Sequence, residues 1–266
     1  MIKSTADIQP LANSIAETFA RLESVEAILL SGSSSTVRHD KLSDLDLYVY
    51  VSQTIENSKR KQIASNFTTE FTLQNKFWED EDYWEVKRPP MLVEIIYRNF
   101  SWLDTELEDV LIKHQAKVGY TTCFWTNLLN SKILYDKSGA AASLKEKYTF
   151  PYPQKLKQAI IEKNYPILKT SSASYYEQLK KAQVRKDLVS INHRIAAFLA
   201  SYFDILFALN EIPHPGEKLL LEYAMKCNQM PINMQTDIEE FTKTGSLEKA
   251  AALANNLATL IGGSEM

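Results

Sequence analysis

The sequence predicts an α/β (α+β) domain with a mixed sheet, followed by an all-α helical bundle. Three observations carry this. Apolar runs of strand length, Val25–Leu30, Leu45–Val51 and Met91–Tyr97, fall in the first part of the chain. Beyond Pro151-Tyr152-Pro153 strand-like alternation stops and long helical periods take over, which sets a boundary near residue 150 and two domains, 1–150 and 151–266. Hydrophobic residues make up 45% and charged residues 24% of the 266, an ordinary balance that is enough to bury a core in each part.

The elements follow in order. Leu11, Ile15, Phe19 and Leu22 recur at helical spacing and predict an amphipathic helix before the first strand, Val25–Leu30. After the strand at 45–51, Thr54 to Phe67 reads as a charged surface helix. Residues 69 to 98 hold further strands, ending in Met91–Tyr97. Trp102 to Val118 and Tyr120 to Asn130 read as helices, followed by Lys132–Asp136 and a turn at Lys137-Ser138-Gly139. Residues 154 to 185 read as a helix or helix pair disturbed at Pro166, because an interior proline breaks or kinks a helix. Asp187 to Asn210 is a strongly apolar helix stopped by Pro213-His214-Pro215-Gly216; Glu217 to Asn228 starts again, and two shorter helices close the chain.

The chemistry concentrates between residues 32 and 46. Side chains on a strand alternate faces, so Asp44 and Asp46 point the same way, with Cα atoms about 7 Å apart. Leu45, Leu47, Val49 and Val51 take the opposite, uniformly apolar face. Two carboxylates at that spacing can converge on a divalent ion, and magnesium takes hard oxygen ligands, one or two carboxylates plus substrate phosphates. Gly32 is one of only 7 glycines, and it lets the backbone approach a phosphate where consecutive amides form an anion nest. Ser33 adds a hydroxyl donor, and Arg38 and Lys41 are placed to clamp phosphate oxygens or to lie solvated in the loop. Glu94 is the only charge in its apolar strand; such an acid meets a metal or a partner, or sits at a solvated rim. The run Trp78–Glu85 holds competing acids and reads either as a lip attracting a cationic molecule or as a solvated loop with its aromatics in the core.

The segment Gly32-Ser33, a spacer, then Leu42-Ser43-Asp44-Leu45-Asp46-Leu47 resembles the signature of the DNA polymerase β-type nucleotidyltransferase superfamily, and within it the small bacterial antibiotic nucleotidyltransferases acting on aminoglycosides and lincosamides. Ile133-Leu134-Tyr135-Asp136, Tyr152-Pro153, Phe203 through Asn210 and Pro215-Gly216-Glu217-Lys218 resemble the helical domain behind many of them. The resemblance implies catalytic and metal-binding roles for Asp44, Asp46 and Glu94, with Glu94 also the general base. It implies two magnesium ions, and ATP or another NTP contacted by Gly32, Ser33, Arg38, Lys41, Ser43 and, from the helical part, Lys218. The implied reaction moves a nucleoside monophosphate to a hydroxyl of a small-molecule acceptor and releases pyrophosphate. Relatives that nucleotidylate a protein, antitoxin-like, and a catalytically silent nucleotide-binding module are the other readings.

Composition excludes other classes. Net charge is −3 with no basic run, against a long nucleic-acid groove. No apolar stretch approaches the ~20 residues of a membrane span and the N-terminus lacks a signal-peptide core, so the expected location is the cytoplasm. Cys123 and Cys227 lack metal spacing and are expected as buried, reduced thiols; the four histidines, His39, His114, His193 and His214, form no zinc pattern. In the helical part, His193 and Arg194 sit in an apolar helix, with Asp187 or Asp204 as expected partners of the charge. Tyr175, Tyr176, Tyr202 and Trp125 are candidates for stacking a base or for the core.

Overall fold

A computed structural model describes residues 5–31 and 44–263. The chain divides into two compact units, one of residues to Leu107 with Asn127–Phe150, the other of Glu108–Thr126 with the residues from Pro151 onward.

The first unit is built on a six-stranded mixed sheet. Its strands are β1 (Val25–Ser31), β2 (Leu45–Val51), β3 (Phe71–Asn75), β4 (Asp80–Lys87), β5 (Pro90–Arg98) and β6 (Lys132–Asp136), in the spatial order β3-β4-β5-β2-β1-β6. Among these neighbours only β2 and β5 run parallel. One face is the core. Leu45, Leu47 and Val49 of β2, Trp84 of β4 and Val93, Ile95 and Tyr97 of β5 pack there with Ile15, Ala16 and Phe19 of helix α1 (Thr5–Phe19) and Ile63 of α2 (Asn57–Ser65). Phe19 and Phe67 both stack on Trp84. The other face is polar at the start of β2 and apolar further along. There Tyr50 stacks on Phe100 of α3 (Phe100–Leu111) with ring centroids 4.4 Å apart.

The second unit is helical. Its axis is α8 (Leu188–Leu209), which starts at Asp187, whose carboxylate accepts from the Ser190 backbone N–H at 3.1 Å, and ends at Asn210. A core of Leu168, Leu179, Phe198, Tyr202, Leu206, Phe241, Leu253 and Leu257 joins α8 to α7 (Tyr175–Val184), α10 (Met234–Thr244) and α11 (Leu247–Gly263). Pro166 ends α6 (Gln154–Tyr165): lacking an N–H, it is followed by a wider π-type turn over Pro166–Thr170 that closes with Ser171 N–H on the Pro166 carbonyl at 2.9 Å. Gly119, with φ +75°, lies against Ala200 so closely that a Cβ there would meet the Ala200 Cβ at 3.0 Å.

Several expectations shift. The charged helix at 54–67 is the shorter α2, and it is not wholly a surface helix, because Arg60 is buried. The helix from 102 to 118 ends at Leu111, where His114, at φ 55°, turns the chain away. The next, α4, spans Cys123–Asn130. Lys132–Asp136 is the edge strand β6, and α5 (Ala140–Lys147) follows it. The run 78–85 is no loop: from Asp80 it is strand β4, and the pleat buries Trp84 while Trp78 stays exposed. The helix at 217–228 shrinks to α9 (Leu220–Ala224), because Leu219 adopts φ 57° and delays its start. The final helix, α11, is 17 residues, not short. No helix among the described residues is long and apolar enough to cross a membrane.

Candidate functional site

The parallel pairing of β2 with β5 sets the site. In its register Asp46 lies opposite Glu94, and Leu45 opposite Val93. Paired residues on neighbouring strands share a face, so the two carboxylates stand side by side on the polar face while Leu45 and Val93 enter the core. Asp44, at the entry to β2, is half-buried, as are Asp46 and Glu94. Burial pushes the Glu94 carboxyl above the usual range, and the charges of Asp46 and, less, Asp44 push it the same way. Asp44 and Asp46 thus lie within electrostatic reach of Glu94.

The antiparallel partner β4 extends this row. Tyr83 lies opposite Glu94. Its hydroxyl is 3.0 Å from Glu94 Oε1 and 2.9 Å from Glu81 Oε1. Asn75 Nδ2 of β3 donates to the same Glu81 oxygen at 2.8 Å. Glu81 is buried, and that burial raises its carboxyl, with the Glu94 charge adding to the effect. Further along this face Arg98 lies over the ring of Tyr48 at 4.1 Å, and its Nε donates to Glu79 at 2.6 Å. Asn127 donates to the Tyr48 hydroxyl at 3.1 Å. The turn between β3 and β4 carries Phe77 and Trp78, an exposed edge-to-face pair.

Hard carboxylate oxygens are the donor set that magnesium takes. Among the described residues no group of three or more His, Cys, Asp or Glu side chains forms a ready-made metal site. Asp46 and Glu94, paired across β2 and β5, with Asp44 at the entry to β2, offer the carboxylate oxygens of a divalent ion that brings further oxygen ligands of its own.

Gly32, Ser33, Arg38, Lys41 and Ser43, expected to hold phosphates, lie outside the described residues, as does His39. Lys218 belongs to the helical unit and is exposed in the turn before α9, two residues short of its start, so it does not occupy a helix first turn. The partners expected for Arg194 are engaged elsewhere. Asp187 caps α8, and Asp204 accepts from the Thr121 backbone N–H at 3.0 Å and the Thr121 hydroxyl at 2.6 Å. His193 is exposed. Tyr202 and Trp125 are buried. Both cysteines are free, Cys227 buried and Cys123 only partly so.

Tyr83, Asn75 and Arg98 escaped the sequence reading. No local pattern marks them: Glu81-Asp82-Tyr83-Trp84 does not alternate polar with apolar, and the strand pairing is what places Glu81 and Tyr83 on the face of Glu94.

No family model and no curated protein matches the sequence. Among solved structures, the chain is similar to a nucleotidyltransferase-like protein from Exiguobacterium sibiricum 255-15, with 11% identity and a TM-score of 0.42 over 96% of this chain and 75% of that one. It is also similar to a CCA-adding enzyme in complex with ATP, with 10% identity and a TM-score of 0.32 over 97% of this chain and 82% of that one. Identities and TM-scores this low leave the functional question to the chain's own residues.

Proposed function

We propose that this protein is a magnesium-dependent nucleotidyltransferase of the DNA polymerase β type. It moves a nucleoside monophosphate, AMP in the first instance, from an NTP to a hydroxyl of a small-molecule acceptor. The observation that supports this most is the register that sets Asp46 beside Glu94 directly after the Gly-Ser and Asp-x-Asp segment.

In the reaction the acceptor oxygen forms a bond to the α-phosphorus, the bond from that phosphorus to the bridging oxygen breaks, and pyrophosphate leaves with the electron pair. Glu94 takes the hydroxyl proton, from its place beside Asp46 on the polar face. Asp44, Asp46 and Glu94 would hold the magnesium ions, which when bound lower the pKa of the attacking hydroxyl and offset charge on the phosphates. The remaining contribution of the chain is to orient the acceptor against the triphosphate and to keep the acidic groups in register. The exposed Phe77–Trp78 pair lies in the turn between β3 and β4, and an amine-bearing, aminoglycoside-like acceptor matches its aromatic faces.

The test is magnesium-dependent pyrophosphate release, with each NTP against aminoglycosides, lincosamides and cell extract. Wild-type release that Asp44→Ala and Asp46→Ala both lack supports the assignment, and the responding acceptor names the substrate class. Substantial release by Asp46→Ala sinks it.

A further inference from the structure

Tyr83 is placed where its hydroxyl controls the group proposed above as base and metal ligand. It is the residue opposite Glu94 in the β4–β5 pairing, so the ring stands beside the carboxylate without any loop between them. The contact falls on Glu94 Oε1 at 3.0 Å. The same hydroxyl lies 2.9 Å from Glu81 Oε1, and Asn75 Nδ2 anchors that oxygen at 2.8 Å from the next strand. Asn75 is itself opposite Glu81 in the β3–β4 pairing. Three adjacent strands therefore hold one hydrogen-bond chain, Asn75 to Glu81 to Tyr83 to Glu94, which ends beside Asp46.

This arrangement is more than incidental packing. Glu81 is 2% exposed, and a carboxylate is costly to bury unless its neighbours bond to it. A phenol carries one hydrogen, and here two carboxyl oxygens lie within reach of it. Both contacts run from the phenol, so its hydrogen is shared between Glu81 and Glu94 and ties the two carboxyl groups together. Glu94, pressed by the negative charges of Asp46 and Asp44, would otherwise swing from them toward solvent.

We propose that Tyr83, braced by Glu81 and Asn75, is a positioning residue that fixes the Glu94 carboxylate beside Asp46. The proposal rests on the nucleotidyltransferase reading, and its test separates the two. Binding of Mn2+ in the presence of ATP is measured by electron paramagnetic resonance, which needs no turnover, on wild type, Tyr83→Phe, Glu81→Gln, Glu81→Ala and Asp46→Asn. Urea unfolding of each variant checks that it folds.

Groups that orient a metal-ligating side chain typically change affinity or activity by about 10–100-fold, so Tyr83→Phe should weaken Mn2+ about tenfold and lower kcat similarly, with KM for the NTP nearly unchanged. Glu81→Gln should keep wild-type affinity, because its amide oxygen can accept from Asn75 and from the phenol as the carboxylate oxygen does; Glu81→Ala should behave like Tyr83→Phe. A Tyr83→Phe protein that folds, binds Mn2+ as tightly as wild type and keeps its kcat overturns the positioning role while leaving the nucleotidyltransferase reading standing. Absence of Mn2+ binding by wild type itself, matched by Asp46→Asn, overturns both.

Discussion

Strand β4 sends Asp80 and Asp82 to one face of the sheet and Glu81 and Tyr83 to the other, and the two faces handle acid differently. On the core face Arg60 pairs with Asp80 through two bonds of 2.7 Å and reaches Asp82 at 3.5 Å. Tyr97 donates to Asp82 at 2.7 Å, and the Gln74 backbone N–H donates to it at 2.9 Å. The Arg60 bonds hold the Asp80 carboxyl below its usual range. On the polar face Glu81 and Glu94 share one phenol, and the charges acting most strongly on Glu94 are both negative. A structural acid is given its cation by the protein. In the candidate site Asp46 and Glu94 stand side by side in register, an arrangement that suits a divalent ion arriving with the substrate.

The contrast sets an order of expected effects. The largest concerns the polar face: Asp46→Asn should lower nucleotidyl transfer by about a thousandfold or more while its unfolding midpoint is no lower than that of wild type, read by pyrophosphate release and urea titration. Next is the core face. Arg60→Met strands the buried Asp82 and leaves the half-buried Asp80 without its arginine, and its urea unfolding should show a loss of about 3 kcal/mol.

In the helical unit the buried Asp204 is held by Thr121 and Asn164. Burial raises Asp204 to about 7, with the Thr121 bonds partly opposing it. A raised carboxyl stabilises the fold below its unfolded value near 3.8, and that stability is lost as pH climbs through 7, roughly 4 kcal/mol in all. Burial lowers His214 to about 4, and its ring accepts from the Gly216 N–H at Nδ1. A depressed histidine runs the other way: its stability is present above the unfolded value of 6.5 and is lost as pH falls through 4, roughly 3 kcal/mol. The two offset between pH 4 and 6.5. Relative to wild type, Asp204→Asn should gain stability with rising pH over that window, and His214→Gln should lose it over the same window. Identical pH slopes in all three proteins would contradict both assignments.

The smallest effect returns to the site. Glu94→Gln removes the repulsion from Asp46 and Asp44, so the chain should gain about 1 kcal/mol in urea unfolding as it loses transfer activity. A loss of stability would mean that the carboxylate is held by favourable contacts instead.

The sequence was most informative where chemistry is local. Asp-x-Asp with apolar residues between and after announces a strand with one functional face, and Glu94 stands out as a lone charge among β-branched and aromatic residues. The β2–β5 pairing joins residues almost fifty apart, and no local pattern specifies whether those strands run parallel. The run 78–85 looked like one acidic patch, because sequence order hides a pleat that sorts its acids onto two faces. Arg60 looked solvated because nothing near it in sequence predicts Asp80 across the core. Asp204 is one of two acids the sequence offers to Arg194; its partner Thr121 lies 83 residues away.

The most direct test of this account is the melting temperature of wild type, Asp46→Asn and Asp80→Asn, each with and without Mg2+ and ATP. Ligand at about 100 times its Kd adds about 2.7 kcal/mol to a site that binds it. The account predicts a rise of several degrees in wild type and in Asp80→Asn, from its lower starting point, and none in Asp46→Asn. An equal rise in Asp46→Asn would contradict it, because the polar face would then not be where the nucleotide and its cation bind.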